Sequence, residues 1–240
     1  MHQFKHYIRF IALLLLVVAT VITSKVIFSD PSSSEDESYH AAFRHSYKIM
    51  GNVFPKDLSF AGEPVPLSDS LLLAVMRSEF HSRTKSKLHL VMLQKRARSF
   101  FRVIEPILKE YSIPDDFKYV PIVESNFYDT VSPRGAKGPW QLMVPIAQTF
   151  GLTVNDTLDE RSDLKKSTEV ICKCLRQTQP ELGSWILSLA GLNYGMEGLK
   201  KRLGKKQPPG ILVDKDFTTY LFRVILYKEV FTRPELYGLK

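Results

Sequence analysis

Glu124 closes the apolar run Tyr119-Val-Pro-Ile-Val and is followed by Ser125-Asn126-Phe127. A little further on comes Gly135-Ala-Lys-Gly138-Pro-Trp140-Gln141-Leu-Met143. A carboxyl group held against apolar surface has its charged form disfavoured, so its pKa rises and it stays protonated near neutral pH. In that state it can act as a general acid and protonate a leaving-group oxygen. The Gly-rich turn lets backbone approach closely, and Gln141 brings neutral donors and acceptors close behind the acid. Other carboxylates in the region read differently. Asp115 and Asp116 stand at a helix start and Asp129 in a polar turn, where capping is the expected work; Asp159 and Glu160 adjoin Arg161, with pairing or capping expected.

The elements that must position these residues are helical. Ser112-Ile-Pro114-Asp115-Asp116 starts a helix that carries Phe117, Val120 and Val123 inward and ends near Glu124. Leu71 to Phe80 and Lys87 to Tyr111 show apolar residues at three- and four-residue spacing. In the second, the inward set reads as Leu88, Val91, Met92, Phe100, Val103, Ile104, Ile107 and Leu108. Arg96, Arg98, Arg102 and Lys109 fall mostly on the solvated side. Pro145 to Phe150 is a short helix closed by Gly151. Asp163 caps a helix to about Gln177, and Ser184 caps a nearly wholly apolar, buried one from Trp185 to about Asn193. Gly195 and Gly198 punctuate the next step, and Asp216 to Phe231 forms a closing amphipathic helix. No strand-like alternation is convincing, so the expected fold class is all-α.

The chain has 240 residues, enough for one domain with a sizeable core plus tails. Its net charge of +8 suits an anionic partner: nucleic acid, acidic lipid or a carboxylate-bearing cell wall. No RNP, zinc-finger or helix-turn-helix signature singles out nucleic acid, and none is expected as a partner. His2, Lys5, His6 and Arg9 precede the apolar run Phe10 to Ile22, so residues 1–28 read as a signal peptide or an N-terminal membrane anchor built on residues 10–28. Acidic, Ser- and Pro-rich residues make 29–53 a flexible linker. Residues 54–111 form an N-terminal helical extension, which opens with an extended, irregular stretch from Phe54 to Leu67. Cys172 and Cys174, two apart on a helix, point to opposite sides and lack ligand partners at metal spacing. They read as small buried hydrophobes.

Taken together, these segments resemble the lytic murein transglycosylases, the membrane-bound type D branch most closely, over about Phe54 to Val230. Glu124-Ser125 matches the family's Glu-Ser pair, and Gly135, Ala136, Gly138, Gln141 and Met143 match its Gly-Ala-x-Gly-x-x-Gln-x-Met block. Asp159-Glu160-Arg161 and Ser167-Thr168-Glu169 follow, then Ala190 and Asn193 to Gly195 in place of Ala-Tyr-Asn-x-Gly, and Tyr220 on the last helix. The resemblance implies a lysozyme-like catalytic domain of the goose type at 112–232, preceded by N-terminal helices and an irregular segment. It implies Glu124 as a lone general acid and then base, cleaving the β-1,4 bond between N-acetylmuramic acid and N-acetylglucosamine to leave a 1,6-anhydromuramyl end. Ser125, Gly138, Gln141, Met143, Asn193 and Tyr220 would bind substrate, with Tyr220 also orienting the acid. Trp140, Phe127 and Tyr128 are either faces for sugar rings or core.

The resemblance further implies that no metal or organic cofactor is required. The partner would be peptidoglycan glycan strands, met by a monomer in the periplasm or cell envelope, with any membrane contact through the N-terminus. The chain departs from the family in Leu192, where a Tyr is usual, in Pro139 for Leu, and in Asp216 and Phe217 for Glu and Thr. Two alternatives stand beside this expectation: a muramidase that lets water attack the same bond, and a non-catalytic wall-binding scaffold, which Leu192 favours.

Overall fold

The computed structural model describes residues 58–65, 70–204 and 214–239. They fall within one compact unit, Val53–Lys240. The expected leader or anchor and the linker lie outside the described residues; among those described, no helix is long and apolar enough to cross a membrane.

Strands β1 (Ser59–Phe60) and β2 (Glu63–Pro64) pair antiparallel, with Phe60 opposite Glu63. Ala61 and Gly62 both have positive φ, 54° and 81°, the backbone of a tight two-residue hairpin turn. The segment read as irregular is therefore a hairpin, at least over residues 58–65. Its strands are too short to show alternation, and Pro64 sits on an edge, where no ladder donor is needed.

Eight α-helices follow: α1 (Ser70–Thr84), α2 (Lys87–Glu110), α3 (Val120–Ser125), α4 (Val144–Thr149), α5 (Leu164–Leu182), α6 (Trp185–Tyr194), α7 (Met196–Leu203) and α8 (Lys215–Thr232). The all-α expectation holds. Three caps follow directly from local chemistry: Ser86 Oγ accepts from His89 N, Asp163 Oδ1 from Lys166 N and Ser184 Oγ from Leu187 N. Helix α5 continues past Gln177 to Leu182 despite Pro180, because a proline near the last turn removes one bond without ending the helix. Gly198, read as punctuation, lies inside α7.

Helix α2 corrects a face assignment. Its buried residues are Leu90, Leu93, Ala97, Ile104, Ile107 and Leu108, whereas Leu88 and Met92 are 71% and 59% exposed and Val91 is exposed too. The N-terminal half is apolar on more than one side, so helical spacing alone could not choose the packed stripe. That stripe lies along α5, which in turn packs on α6, while α8 packs on α1. Cys172 and Cys174 are buried and unbridged, as expected, and burial pushes both thiols up to about 12.

The hairpin is fastened to this helical core. Phe60 is fully buried and meets Phe117 edge-on at 5.0 Å, and Phe117 in turn meets Trp185 at 5.8 Å. Asp116 does not cap the helix before Glu124, which begins as a 3-10 turn, Asp115–Tyr119, without a side-chain cap. Its Oδ2 instead accepts from Ala61 N and Lys228 Nζ, both at 2.6 Å, tying hairpin to α8. Asp115 pairs with Lys118 at 2.6 Å, and Asp129 accepts from Ser162 Oγ at 2.8 Å.

Candidate functional site

Glu124 sits in the last turn of α3, a helix started by Pro121 in its first turn and stopped by Asn126 at φ 51°. Phe127 (φ 62°) and Gln141 (φ 50°) share this left-handed backbone, which bulky side chains rarely adopt. Strained residues of this kind persist where the surroundings over-determine them, and here they bracket the acid and its loop.

Burial pushes the Glu124 carboxyl above its ordinary pKa, and the bond from Tyr220 pulls partly the other way. The Tyr220 hydroxyl, from α8, donates to Oε1 at 2.6 Å. No other hydrogen bond reaches the carboxyl from the described residues, so its remaining acceptor capacity faces the cleft it lines. Tyr220 is itself buried, and burial beside Glu124 drives its phenol well above the usual range. It stays a donor at any working pH.

The loop after α3 is held by Arg161, a buried guanidinium. Its Nε and Nη2 bond the two oxygens of Asp159 at 2.9 and 2.7 Å, and its Nη1 donates to Gly135 O at 2.7 Å and Leu142 O at 3.0 Å. The Arg161 guanidinium holds Asp159 down to about 2. Glu160 accepts from Thr153 N and pairs with Lys166. Gly138 (φ 80°) packs so closely on this turn that a Cβ would stand 2.1 Å from Arg161 O. Short bridges join Lys137 to Val131 and to Leu142, closing a small loop that presents Gln141.

The sequence-predicted residues divide by position. Glu124, Gln141, Met143, Asn193 and Tyr220 all line one cleft of ≈ 760 Å³. Ser125 and Gly138 are not in its walls: Ser125 Oγ donates to Pro139 O at 2.9 Å, fastening α3 to the loop, and Gly138 is a close-approach point. Gln141 Nε2 already donates to Thr130 O and Gly138 O at 2.9 Å, which leaves its Oε1 to accept from a ligand. Trp140 touches the cleft but is buried, with Nε1 donating to Thr168 Oγ1 at 2.9 Å. Phe127 is core, 4.6 Å from Phe100, and Tyr128 is exposed under Arg96 and away from the cleft. Leu192 lines the cleft; Tyr194 does not, its hydroxyl donating to Asp214 Oδ1 at 2.6 Å.

One wall of the cleft went unread in the sequence. Cys174, Gln177, Thr178 and Glu181 of α5 line it at helical spacing, and Lys200 of α7 closes that end by pairing with Glu181 at 2.8 Å. Their spacing was a visible signal, but α5 was expected to run only to about Gln177, which left Thr178 and Glu181 outside it, and Cys174 read as a buried hydrophobe. Arg134 also lines the cleft. Among the described residues, no cluster of three His, Cys, Asp or Glu side chains is placed to hold a metal.

Residues 102–211 match the family model of the transglycosylase SLT domain. The match supports a transglycosylase-type enzyme of the lytic family with a peptidoglycan substrate, and it agrees with an all-α, lysozyme-like domain. None of the curated proteins matches the chain. The matched stretch starts within α2 and stops before α8, so both Tyr220 and the hairpin lie beyond it.

Proposed function

We propose that the protein is a lytic transglycosylase of the cell envelope that cleaves the β-1,4 bond between N-acetylmuramic acid and N-acetylglucosamine, with Glu124 as the lone acid and then base. The observation that carries this reading is the surroundings of Glu124: burial favours its neutral form, and a single neutral donor, Tyr220, orients it at the floor of a cleft.

Protonated Glu124 donates to the bridging oxygen as the bond from that oxygen to the muramyl C1 breaks. The substrate's own acetamide oxygen closes on C1, in the manner of the substrate-assisted exceptions to the two-carboxylate rule. The muramyl C6 hydroxyl then attacks C1 and the acetamide leaves. The hydroxyl proton passes to the Glu124 carboxylate, which restores the acid. The ring closes as a 1,6-anhydro sugar without water. Gln141 Oε1 and the exposed Asn193 side chain are suited to the hydroxyl and acetamido groups of the sugars.

No second carboxylate has comparable surroundings among the described residues lining the cleft. Glu181 is more than half exposed and engaged with Lys200. This disfavours a muramidase working through two carboxylates.

The test is product analysis on purified sacculi by mass spectrometry. Anhydro ends, lighter by one water than reducing ends, are expected from the native protein. Glu124→Gln should lower their release by about 10²–10⁴-fold while still binding sacculi. Reducing ends would establish hydrolysis instead, and binding without any released product would establish a scaffold.

A further inference from the structure

Arg134 stands at the tip of a tight turn on the rim of the cleft. Gly135 N donates to Ser132 O at 2.9 Å, and Ala136 N donates to Ser132 Oγ at 3.0 Å. The carbonyl of Gly135, the next residue, is gripped by Arg161 Nη1 at 2.7 Å. The base of the side chain is thus anchored from both sides of the turn. Arg134 is exposed and lines the cleft, and its guanidinium makes no ion pair or hydrogen bond with any described residue.

Among the described residues lining the cleft, the other cation is Lys200, and it is paired with Glu181. Glu124, the other carboxylate lining the cleft, takes its hydrogen bond from the Tyr220 hydroxyl and forms no ion pair with Arg134. The rim therefore carries an unanswered positive charge with the planar, five-donor geometry that fits a carboxylate through two parallel bonds. Sugar hydroxyls and acetamido groups offer no such charge. In a peptide-bearing strand the muramyl lactyl group is tied up as an amide, so the carboxylates are those of the stem peptides.

We infer that Arg134 recognises a stem-peptide carboxylate and makes the cleft selective for glycan strands that carry anionic peptides. The inference rests on the proposed reading of the cleft as a peptidoglycan site. The contact is at the rim, in partial solvent, so it contributes a preference rather than the bulk of binding.

The experiment compares soluble peptide-bearing strands with the same strands after carbodiimide and ammonium chloride have converted their carboxylates to amides. For the native chain, KM is expected to be about three- to fivefold lower on the untreated strands, the range of a partly exposed charge pair. Arg134→Gln should lose most of that preference, Arg134→Lys should retain part of it, and added salt should shrink it for the native chain. Equal KM values on the two strands for the native chain would overturn the inference, and so would a preference that survives in Arg134→Gln. If neither strand is cleaved by the native chain, the proposed enzyme activity fails. Co-sedimentation then decides this inference by the same criterion: binding of untreated over amidated material, lost in Arg134→Gln, supports it, and its absence sinks it.

Discussion

The Tyr220 hydroxyl donates to Glu124 Oε1 at 2.6 Å, across a separation of 96 residues. The donor comes from the last long helix and the acceptor from a six-residue helix, α3, near the middle of the chain. A neutral donor at this point fixes one carboxyl oxygen and leaves the other toward the cleft. It also stabilises the carboxylate needed in the second half of the reaction, offsetting part of the burial effect. Tyr220→Phe removes that bond and keeps the ring. The pKa of Glu124 then moves further up, so the alkaline limb of the pH–kcat profile should shift to higher pH. The loss of orientation should lower kcat by about 10–100-fold. A pH–rate series on sacculi measures both, and an unmoved alkaline limb would falsify the assigned role of the tyrosine.

Glu124 should also reveal itself in stability. Its folded pKa lies above the ordinary carboxylate value, so as pH rises past that value the unfolded chain releases a proton that the folded chain still holds. The folded state loses stability through that window, and the deficit is complete above the folded pKa. Glu124→Gln carries no charge to bury and keeps an acceptor for Tyr220. It should melt at the same temperature as the native chain below about pH 4 and higher than it at pH 7 to 8. Thermal melts across pH check this. A variant that is less stable at neutral pH would mean that the carboxylate is already satisfied in the fold.

Local chemistry was legible in the sequence and long-range packing was not. Asp163 and Ser184 start helices through bonds to residues three positions ahead, so their role is visible in a short window. Glu124 at the end of its apolar run was legible for the same reason. Ile104, Ile107 and Leu108 of α2 were legible as inward, but the face of its N-terminal half was not, because both stripes there have helical spacing and only packing selects one. Arg161 read as a partner of Asp159, which it is, but its grip on Gly135 O and Leu142 O depends on a loop 19 to 26 residues away. Ser125 matched a family pair, yet its hydroxyl is turned to Pro139 O and serves the scaffold.

Gly138 tests how tightly the loop is built. With φ at 80° and Arg161 O 2.1 Å from where a Cβ would stand, Gly138→Ala has no room and an unfavourable backbone. The obstacle is backbone, not the end of a flexible side chain, so the turn must move. The cost should be at least about 2 kcal/mol by urea unfolding. Because Gln141 N bonds Gly138 O at 3.0 Å, the shift should pass to the cleft and lower activity even where the variant remains folded.

Glu63 binds the N-terminal hairpin to α6. Its Oε1 accepts from Trp185 N at 2.5 Å, and its Oε2 accepts from Ser184 Oγ at 2.6 Å and Ile186 N at 3.3 Å. It thus satisfies free N–H groups in the first turn of a helix whose far end carries Leu192 and Asn193, and a carboxylate there suits the helix dipole. Glu63→Ala should cost about 1–2 kcal/mol in a denaturant titration, although the residue lies outside the SLT match. Glu63→Gln should recover part of it through its acceptor oxygen. No change in either variant would show that α6 is held by packing alone.

Leu192 decides whether the missing tyrosine matters. The side chain is half-buried and lines the cleft, while Tyr194 is committed to Asp214 and to a guanidinium, that of Arg202, 3.8 Å over its ring. Tyr194 therefore offers the cleft neither its hydroxyl nor its ring face. Leu192→Tyr brings a ring and a hydroxyl to the cleft that Glu124 and Tyr220 also line, at the cost of some packing of Leu192 on the core. If the native cleft lacks one hydrogen bond to the reacting sugar, the variant should raise kcat/KM on sacculi by about tenfold, the equivalent of about 1.4 kcal/mol. A gain confined to KM would assign the new hydroxyl to ground-state binding, and one in kcat to the transition state. Loss of activity would show instead that the cleft is shaped around leucine and that its substrate sits where the tyrosine ring would stand.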